Sequence, residues 1–180
     1  MTLTILEGTD DDLDAVLDVE RRAFGQDTEA NLVRELLVDA TAAPLLSLLA
    51  VKDGKPVGHV LFTAVAVDGA ERPVCASILA PLAVAPEAQG RGFGSRLVED
   101  GLDRLARSGV ELVFVLGDPN YYGRFGFAPA RRRGLEAPYE LPPAYAEAWM
   151  VKTTGETDVA SISGSVRCAE ALSRPDLWRE

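Results

Sequence analysis

Three closely spaced glycines in the middle of the chain form a segment that could bind a phosphate. Gly90, Gly92 and Gly94 follow a predicted strand at residues 78–84 and precede a helical pattern that begins near Gly92. A glycine-rich turn that opens a helix directs several backbone N–H groups and the positive end of the helix dipole at one place. A pyrophosphate is the usual occupant, so the segment predicts a nucleotide or coenzyme site.

The spacing of the glycines distinguishes between known pyrophosphate loops. A Walker A loop needs a lysine after its last glycine, and a dinucleotide fingerprint needs G-x-G-x-x-G. Neither fits, because no lysine follows these glycines and Ser95 or Leu97 stands where the third glycine would be. The pattern that fits is Q-x-x-G-x-G, with Gln89, Gly92 and Gly94 in place.

A second segment combines a strand with a tyrosine-rich helix start. The apolar run at residues 112–117 predicts a strand, and Asp118 with Pro119 is typical of a helix N-terminus. The string Tyr122-Gly123-Arg124-Phe125-Gly126-Phe127 follows. The two segments are about 30 residues apart, as a β-α-β-α succession requires.

Together the two segments resemble the core of the GNAT superfamily of N-acetyltransferases. The first is similar to its acetyl-CoA pyrophosphate loop and the second to its Y-x-[KR]-x-G-F ending. The longer string LGDPNYYGRFGF is similar to one branch of predicted bacterial acetyltransferases. The resemblance covers residues 2–152. It implies a single α/β domain with a mixed, mostly antiparallel sheet, a splayed central pair of parallel strands, and helices on both faces.

The resemblance further implies an acetyl-CoA-dependent N-acetyltransferase that passes the acetyl group directly to a primary amine of a small molecule or peptide. In that family the tyrosine of the second motif protonates the leaving thiolate, which makes Tyr122 the predicted general acid and Tyr121 its rival. The residues predicted to bind the cofactor lie on the strand, loop and short helix: Leu82, Ala83, Val84, Gln89, Gly90, Arg91, Gly92, Phe93, Gly94, Ser95 and Asn120.

The general base is not evident from the sequence. Glu20 falls on the apolar stripe of the first predicted helix, where a carboxylate needs a partner unless it lies at the helix edge. Because the first two helices border the acceptor pocket in GNAT proteins, Glu20 is predicted to act in catalysis or acceptor binding. His59, the single histidine, is expected in the core, and a water relay is an alternative base. The alternative function is a sensor of the same fold that binds acyl-CoA without transferring its acyl group.

The composition excludes several partners. The chain has 180 residues, with 18 basic and 28 acidic side chains and a formal net charge of −10, which disfavours nucleic acid and anionic lipid. Its longest apolar stretch, near residues 42–51, is shorter than the ~18 residues of a membrane span. No signal-peptide pattern is present, so a cytoplasmic location is predicted. Cys75 and Cys168 lack metal-ligand spacing, so no metal site is predicted.

Periodicity predicts the remaining elements. The predicted strands are at residues 3–7, 45–52, 56–67, 74–84, 127–130, 146–152 and 165–168, and the first two helices begin after Thr9 and near Asp27. Residues 135–144 are predicted to be a Pro-rich loop. Residues 153–180 are predicted to be a C-terminal extension that packs on the domain or on the second subunit of a homodimer.

Overall fold

The structure is a computed structural model that describes residues 2–155 and 158–179. Nine strands and four α-helices lie within these residues. In chain order they are β1 (Leu3–Glu7), α1 (Leu13–Phe24), α2 (Thr28–Val38), β2 (Leu46–Lys52), β3 (Lys55–Asp68), β4 (Ala76–Val84), α3 (Phe93–Arg107), β5 (Leu112–Leu116), α4 (Pro119–Tyr122), β6 (Ala128–Pro129), β7 (Leu135–Glu136), β8 (Trp149–Thr153) and β9 (Gly164–Arg167).

The strands form one mixed sheet with helices on both faces. Its main path runs β1-β2-β3-β4-β5-β8-β6, and every neighbouring pair on this path is antiparallel except β4 with β5. Helices α1 and α2 pack on one face, and α3 packs on the other. The predicted fold class is therefore confirmed. Within the described residues, every helix is too short or too polar to traverse a lipid bilayer.

The two central parallel strands separate partway along their length. They pair from Ala76 opposite Leu112 to Leu79 opposite Val115, and β4 then continues to Val84 with β3 as its one partner among the described residues. A bulge marks the point of separation, because Leu79 pairs with Phe62 and Leu82 pairs with Val60, so that two β4 residues, Ala80 and Pro81, face one β3 residue. Pro81 has no N–H to give to a ladder.

Helix α3 covers one face of the sheet through a narrow apolar stripe. Its buried residues recur at helical spacing and are Phe93, Leu97, Val98, Gly101, Leu102 and Leu105. Gly101 is required by packing rather than by backbone conformation, because a Cβ there would lie 2.3 Å from the buried Phe62 ring. The missing side chain lets the helix approach β3 closely.

The C-terminal part of the chain departs from the predicted elements. Residues 146–148 do not begin the last long strand, because a 3₁₀ helix at Pro143–Ala148 precedes β8, which starts where Trp149 meets Leu116. The predicted loop at residues 135–144 contains β7, which pairs with β9 in parallel. Both corrections involve pairings between distant segments, which local periodicity does not report.

The described part of the C-terminal extension lies against the rest of the domain. Strand β9 pairs with the end of β3, and the Trp178 ring packs on Trp149 with 5.6 Å between centroids. Glu156, Thr157 and Glu180 of the extension lie outside the described residues. The contact with a second subunit stays a prediction.

Replacing Gly101 by alanine should destabilise the protein although alanine is the better helix former. Alanine gains about 1 kcal/mol of helix propensity over glycine, whereas overpacking a core costs about 1–3 kcal/mol. Because the built Cβ lies so close to a buried ring, we expect the cost to exceed the gain, with a net loss of up to about 2 kcal/mol in the free energy of unfolding, measured with urea. Gly123→Ala is the matched control, because Gly123 has helical φ of −56° and no heavy atom within 4 Å of a built Cβ. A Gly101→Ala protein as stable as Gly123→Ala would contradict this packing argument.

Candidate active site

The separation of β4 from β5 leaves a cleft in the middle of the sheet. The cleft has a volume of about 420 Å³. It extends from the strand ends to α1, α2 and residues 170–179, which are called the C-terminal segment below. Its walls are Phe24, Thr28, Glu29, Leu32, Ile78, Leu79, Ala80, Pro81, Leu82, Val115, Leu116, Tyr122, Leu172, Leu177 and Trp178. It is thus an apolar cavity with few polar groups, which is typical of small-molecule sites.

A second cavity of about 370 Å³ lies over the glycine-rich loop. Gly90 and Gly92 both adopt the left-handed backbone region, with φ of +77° and +79°, and Gly92 is the residue before α3. The first-turn N–H groups of a helix have no partner within the helix, so those of Phe93 and Gly94 are available to a ligand. No acidic side chain lies in this turn. The loop therefore presents backbone donors and a positive dipole end without a competing carboxylate.

The side chains of Gln89 and Tyr121 limit the shape of this loop. The Gln89 side-chain amide donates a hydrogen bond of 3.0 Å to the carbonyl oxygen of Val84, which ties the loop to the end of β4. A Cβ on Gly94 would lie 2.9 Å from the Tyr121 hydroxyl and 3.4 Å from a Val84 methyl group. Any side chain at Gly94 would thus fill the floor of the cavity.

The two adjacent tyrosines of α4 face different cavities. Tyr121 lines the loop cavity, whereas Tyr122 lines the cleft. The helix begins where the Asp118 carboxylate accepts the Asn120 backbone N–H at 2.9 Å. Gly117 makes room for the Tyr122 ring, because a Cβ there would lie 2.4 Å from it. Burial raises the pKa of the Tyr122 phenol above its ordinary value, so this group is protonated at neutral pH.

Arg124 is a site residue that the sequence analysis did not single out. Its guanidinium lies over the Tyr121 ring, 4.7 Å from the centroid, and its Nε donates to the Tyr121 carbonyl at 3.3 Å. The side chain lines the loop cavity. Arg124 occupies the basic position of the Y-x-[KR]-x-G-F string, and that position was the available signal.

The predicted cofactor residues fall into three groups. Those that line the loop cavity are Val84, Gln89, Gly90, Gly92, Phe93, Gly94 and Ser95. Leu82 lines the cleft. Ala83, Arg91 and Asn120 line neither cavity; Ala83 is buried opposite His59 on β3, and the other two are exposed. The assignment of these residues to a cofactor stays a prediction.

Glu20 is part of a buried chain of hydrogen bonds between α1 and the sheet. Its Oε1 lies 2.6 Å from His59 Nδ1, and His59 Nε2 lies 2.8 Å from the Ser47 hydroxyl. Glu20 and His59 are completely buried, and the second Glu20 oxygen has no hydrogen-bond partner among the described residues. Burial raises the pKa of Glu20, although the His59 contact opposes this shift.

The hydrogen-bonded series of Glu20, His59 and Ser47 does not open onto either cavity. Glu20, His59 and Ser47 are absent from the walls of both the cleft and the loop cavity. The role of Glu20 in catalysis or acceptor binding therefore stays a prediction, and its contacts are those of a group that holds α1 on β3. Across the described residues, no three His, Cys, Asp or Glu side chains are grouped to hold a metal ion.

The C-terminal segment supplies a wall of the cleft that sequence reasoning missed. Two backbone N–H groups attach this segment to the end of α2: Ala171 donates to the Asp39 carboxylate at 3.0 Å, and Glu170 donates to the Thr41 hydroxyl at 2.9 Å. The Trp178 indole N–H donates to the Leu172 carbonyl at 2.9 Å. These contacts lie far apart in sequence, so no local pattern indicated them.

Comparison with known proteins identifies the family. The acetyltransferase (GNAT) domain family matches residues 4–130. The chain is 44% identical to the Escherichia coli (strain K12) protein named uncharacterized N-acetyltransferase YjhQ. The alignment has 160 residues and covers 88% of each of the two chains. The chain therefore belongs to the GNAT family of acetyltransferases, and the family resemblance in its motifs is confirmed.

Two solved structures share the fold. The GNAT family N-acetyltransferase YhbS from Escherichia coli, in complex with CoA, has a TM-score of 0.85 and 32% identity, over 96% of this chain and 92% of that one. A GNAT family acetyltransferase from Brucella melitensis, in complex with acetyl-CoA, has a TM-score of 0.73 and 28% sequence identity. The match covers 95% of this chain and 98% of that one. The likeness spans nearly the whole chain.

Replacing Glu20 by glutamine should change how stability depends on pH. Because the pKa of Glu20 is raised above its ordinary 4.5, the folded protein keeps this proton to higher pH than the unfolded chain does. Its contribution to stability is complete below pH 4.5 and is lost as the pH rises through the folded-state pKa.

The measurement is urea unfolding of wild type and Glu20→Gln at about pH 5 and about pH 8. We expect the difference in unfolding free energy to shift in favour of Glu20→Gln at the higher pH. Glutamine keeps a hydrogen bond to His59, so the comparison isolates the charge. A difference that is the same at both pH values would contradict the raised pKa.

Proposed function

We propose that this protein transfers an acetyl group from acetyl-CoA to a primary amine by direct attack within a ternary complex. The observation that carries the proposal is that neighbouring residues line the two cavities where β4 parts from β5: Leu82 and Tyr122 line the cleft, and Val84 and Tyr121 line the loop cavity. The CoA and acetyl-CoA complexes of the two similar structures support this choice of donor.

The donor would bind across both cavities, which are lined by neighbouring residues of β4 and α4. The backbone N–H groups around Gly92 and Gly94 would hold the pyrophosphate, with Arg124 adding a positive charge from the side. The pantetheine arm would lie in the gap between β4 and β5. Beyond Leu79 the β5-facing edge of β4 has no strand partner in the part of the chain that the structure describes, so pantetheine amides can pair with backbone groups there.

The proposed transfer step consists of one bond formed, one bond broken and two proton transfers. The amine nitrogen forms a bond to the thioester carbonyl carbon, and the carbon–sulfur bond breaks with its electron pair moving to sulfur. The Tyr122 hydroxyl donates its proton to this sulfur. The proton that the amine nitrogen gives up restores the phenol, so the products are the amide and the CoA thiol. The phenol can supply this proton because it is in its acid form at neutral pH, as a tyrosine with an ordinary pKa of about 10 already is.

Replacing Gly92 by valine should weaken acetyl-CoA binding by about tenfold or more. Gly92 lines the loop cavity and no heavy atom lies within 4 Å of a built Cβ, so the valine side chain would project into open space there. Gly109→Val is the matched control: it has the same backbone strain, with φ of +94° and open surroundings, but lies at the other end of α3. Calorimetric titration of both variants checks this. Normal binding by Gly92→Val would contradict the proposed pyrophosphate position.

Replacing Tyr122 by phenylalanine should lower kcat by about 100-fold or more, because general acid catalysis contributes at least that factor. The affinity for acetyl-CoA should stay unchanged, since the ring is retained. The measurement is release of the CoA thiol with an acceptor amine, combined with calorimetric titration. Tyr121→Phe is the control, because its hydroxyl lies over Gly94 rather than in the cleft. Equal kcat values for Tyr122→Phe and wild type would refute the acid role.

A further inference from the structure

The acceptor end of the cleft has an unusual balance of charge and apolar surface. Among the described residues that line the cleft, Glu29 is the one charged side chain, and most of the others are aliphatic or aromatic. Glu29 lies in the first turn of α2, half-buried, and its carboxylate accepts hydrogen bonds of 2.9 and 3.2 Å from the Gln26 side chain. A single carboxylate on an apolar wall is complementary to a single cationic group on an apolar molecule.

We propose that the acceptor is a small monoamine with an alkyl or aryl body, and that Glu29 is the residue that recognises its amine. This inference rests on the proposed acetyl transfer and names the class of its acceptor. The apolar body would pack between Phe24 and Leu32 on one side and the C-terminal segment, at Leu177 and Trp178, on the other. Tyr122 lines the same cavity, so an ammonium group held near Glu29 can attack the thioester there as a neutral amine once it has released one proton to solvent.

The size and charge of the cleft argue against other acceptors. A volume of about 420 Å³ must also receive the acetyl end of the donor, which leaves room for a compact molecule. A polyamine would carry additional ammonium groups into a wall of Leu32, Leu177 and Trp178, where each unpaired charge is costly. A free amino acid would bring its own carboxylate into a cleft that has no positive side chain among the described lining residues.

The walls of this acceptor region are held independently of the donor loop. The C-terminal segment is attached to the end of α2 through Asp39 and Thr41, and the Arg174 guanidinium lies 3.4 Å from Glu35 on the same helix. Trp178 is buried against Trp149 of β8. The apolar wall is therefore a fixed surface, which favours a defined acceptor shape.

The test measures kcat/KM for n-butylamine, n-hexylamine, phenethylamine and spermidine with saturating acetyl-CoA. We expect the monoamines to be preferred over spermidine, and each added methylene to raise kcat/KM about three- to fourfold while the cleft has space. Glu29→Gln should raise KM for the monoamines about tenfold or more and leave the calorimetric affinity for acetyl-CoA unchanged. Leu177→Ala should reduce the advantage of hexylamine over butylamine.

Glu99→Gln is the matched control, since it removes one carboxylate from the exposed surface of α3 and lines neither cavity. A KM for monoamines that is the same in Glu29→Gln and Glu99→Gln would overturn the role of Glu29. Preference for spermidine, or acetyl-CoA binding without acetylation of any monoamine, would overturn the acceptor class and leave the donor site standing. Failure of wild type to bind acetyl-CoA would instead refute the proposed function itself.

Discussion

The end of the hydrogen-bonded pairing between β4 and β5 is the constraint on which the site depends. Two parallel strands that part in the middle of a sheet leave backbone donors and acceptors without a strand partner, and such groups are costly when buried and unpaired. The bulge at Ala80 and Pro81 marks where this happens, because a bulged strand bends and Pro81 has no N–H to donate. A ligand with its own amide groups can complete the sheet there.

The buried contact between Glu20 and His59 helps to hold the helix that forms another part of the cleft wall. A desolvated carboxylate and an imidazole in hydrogen-bond contact tolerate little displacement, because moving either one leaves a buried polar group alone. Helix α1 is thereby tied to β3 one turn before Phe24, where the helix reaches the cleft. A polar pair outside the cleft thus sets the position of an apolar residue that lines it.

Local patterns in the sequence were sufficient to place the elements of the proposed donor half of the site. The glycine loop, the strand before it and the start of α4 are each defined by residues within a few positions of one another, so spacing alone indicated them. Tyr121 and Tyr122 were harder to separate, because only the fold directs one ring to the loop cavity and the other to the cleft. Arg124 stood in a recognised motif position, yet its stacking on Tyr121 depends on three-dimensional geometry.

The proposed acceptor half could not be predicted in the same way. Glu29 is separated from Leu177 and Trp178 by more than half of the chain, and neither periodicity nor composition marks them as neighbours. The 3₁₀ helix before β8 and the pairing of β7 with β9 were missed for the same reason, since both depend on partners distant in sequence. Glu20 attracted attention as a carboxylate on an apolar stripe, but that pattern does not distinguish a buried structural pair from a catalytic group.

The segregation of the two halves along the chain has an evolutionary consequence. The residues that line the loop cavity lie between Val84 and Arg124, whereas the outer walls of the cleft come from α1, α2 and the C-terminal segment. Substitutions in those outer segments can change which molecule is admitted without disturbing the donor loop. Descendants of one ancestral gene can therefore drift toward different acceptors while selection holds the same coenzyme site constant, and retention of the loop is a poor guide to a shared acceptor.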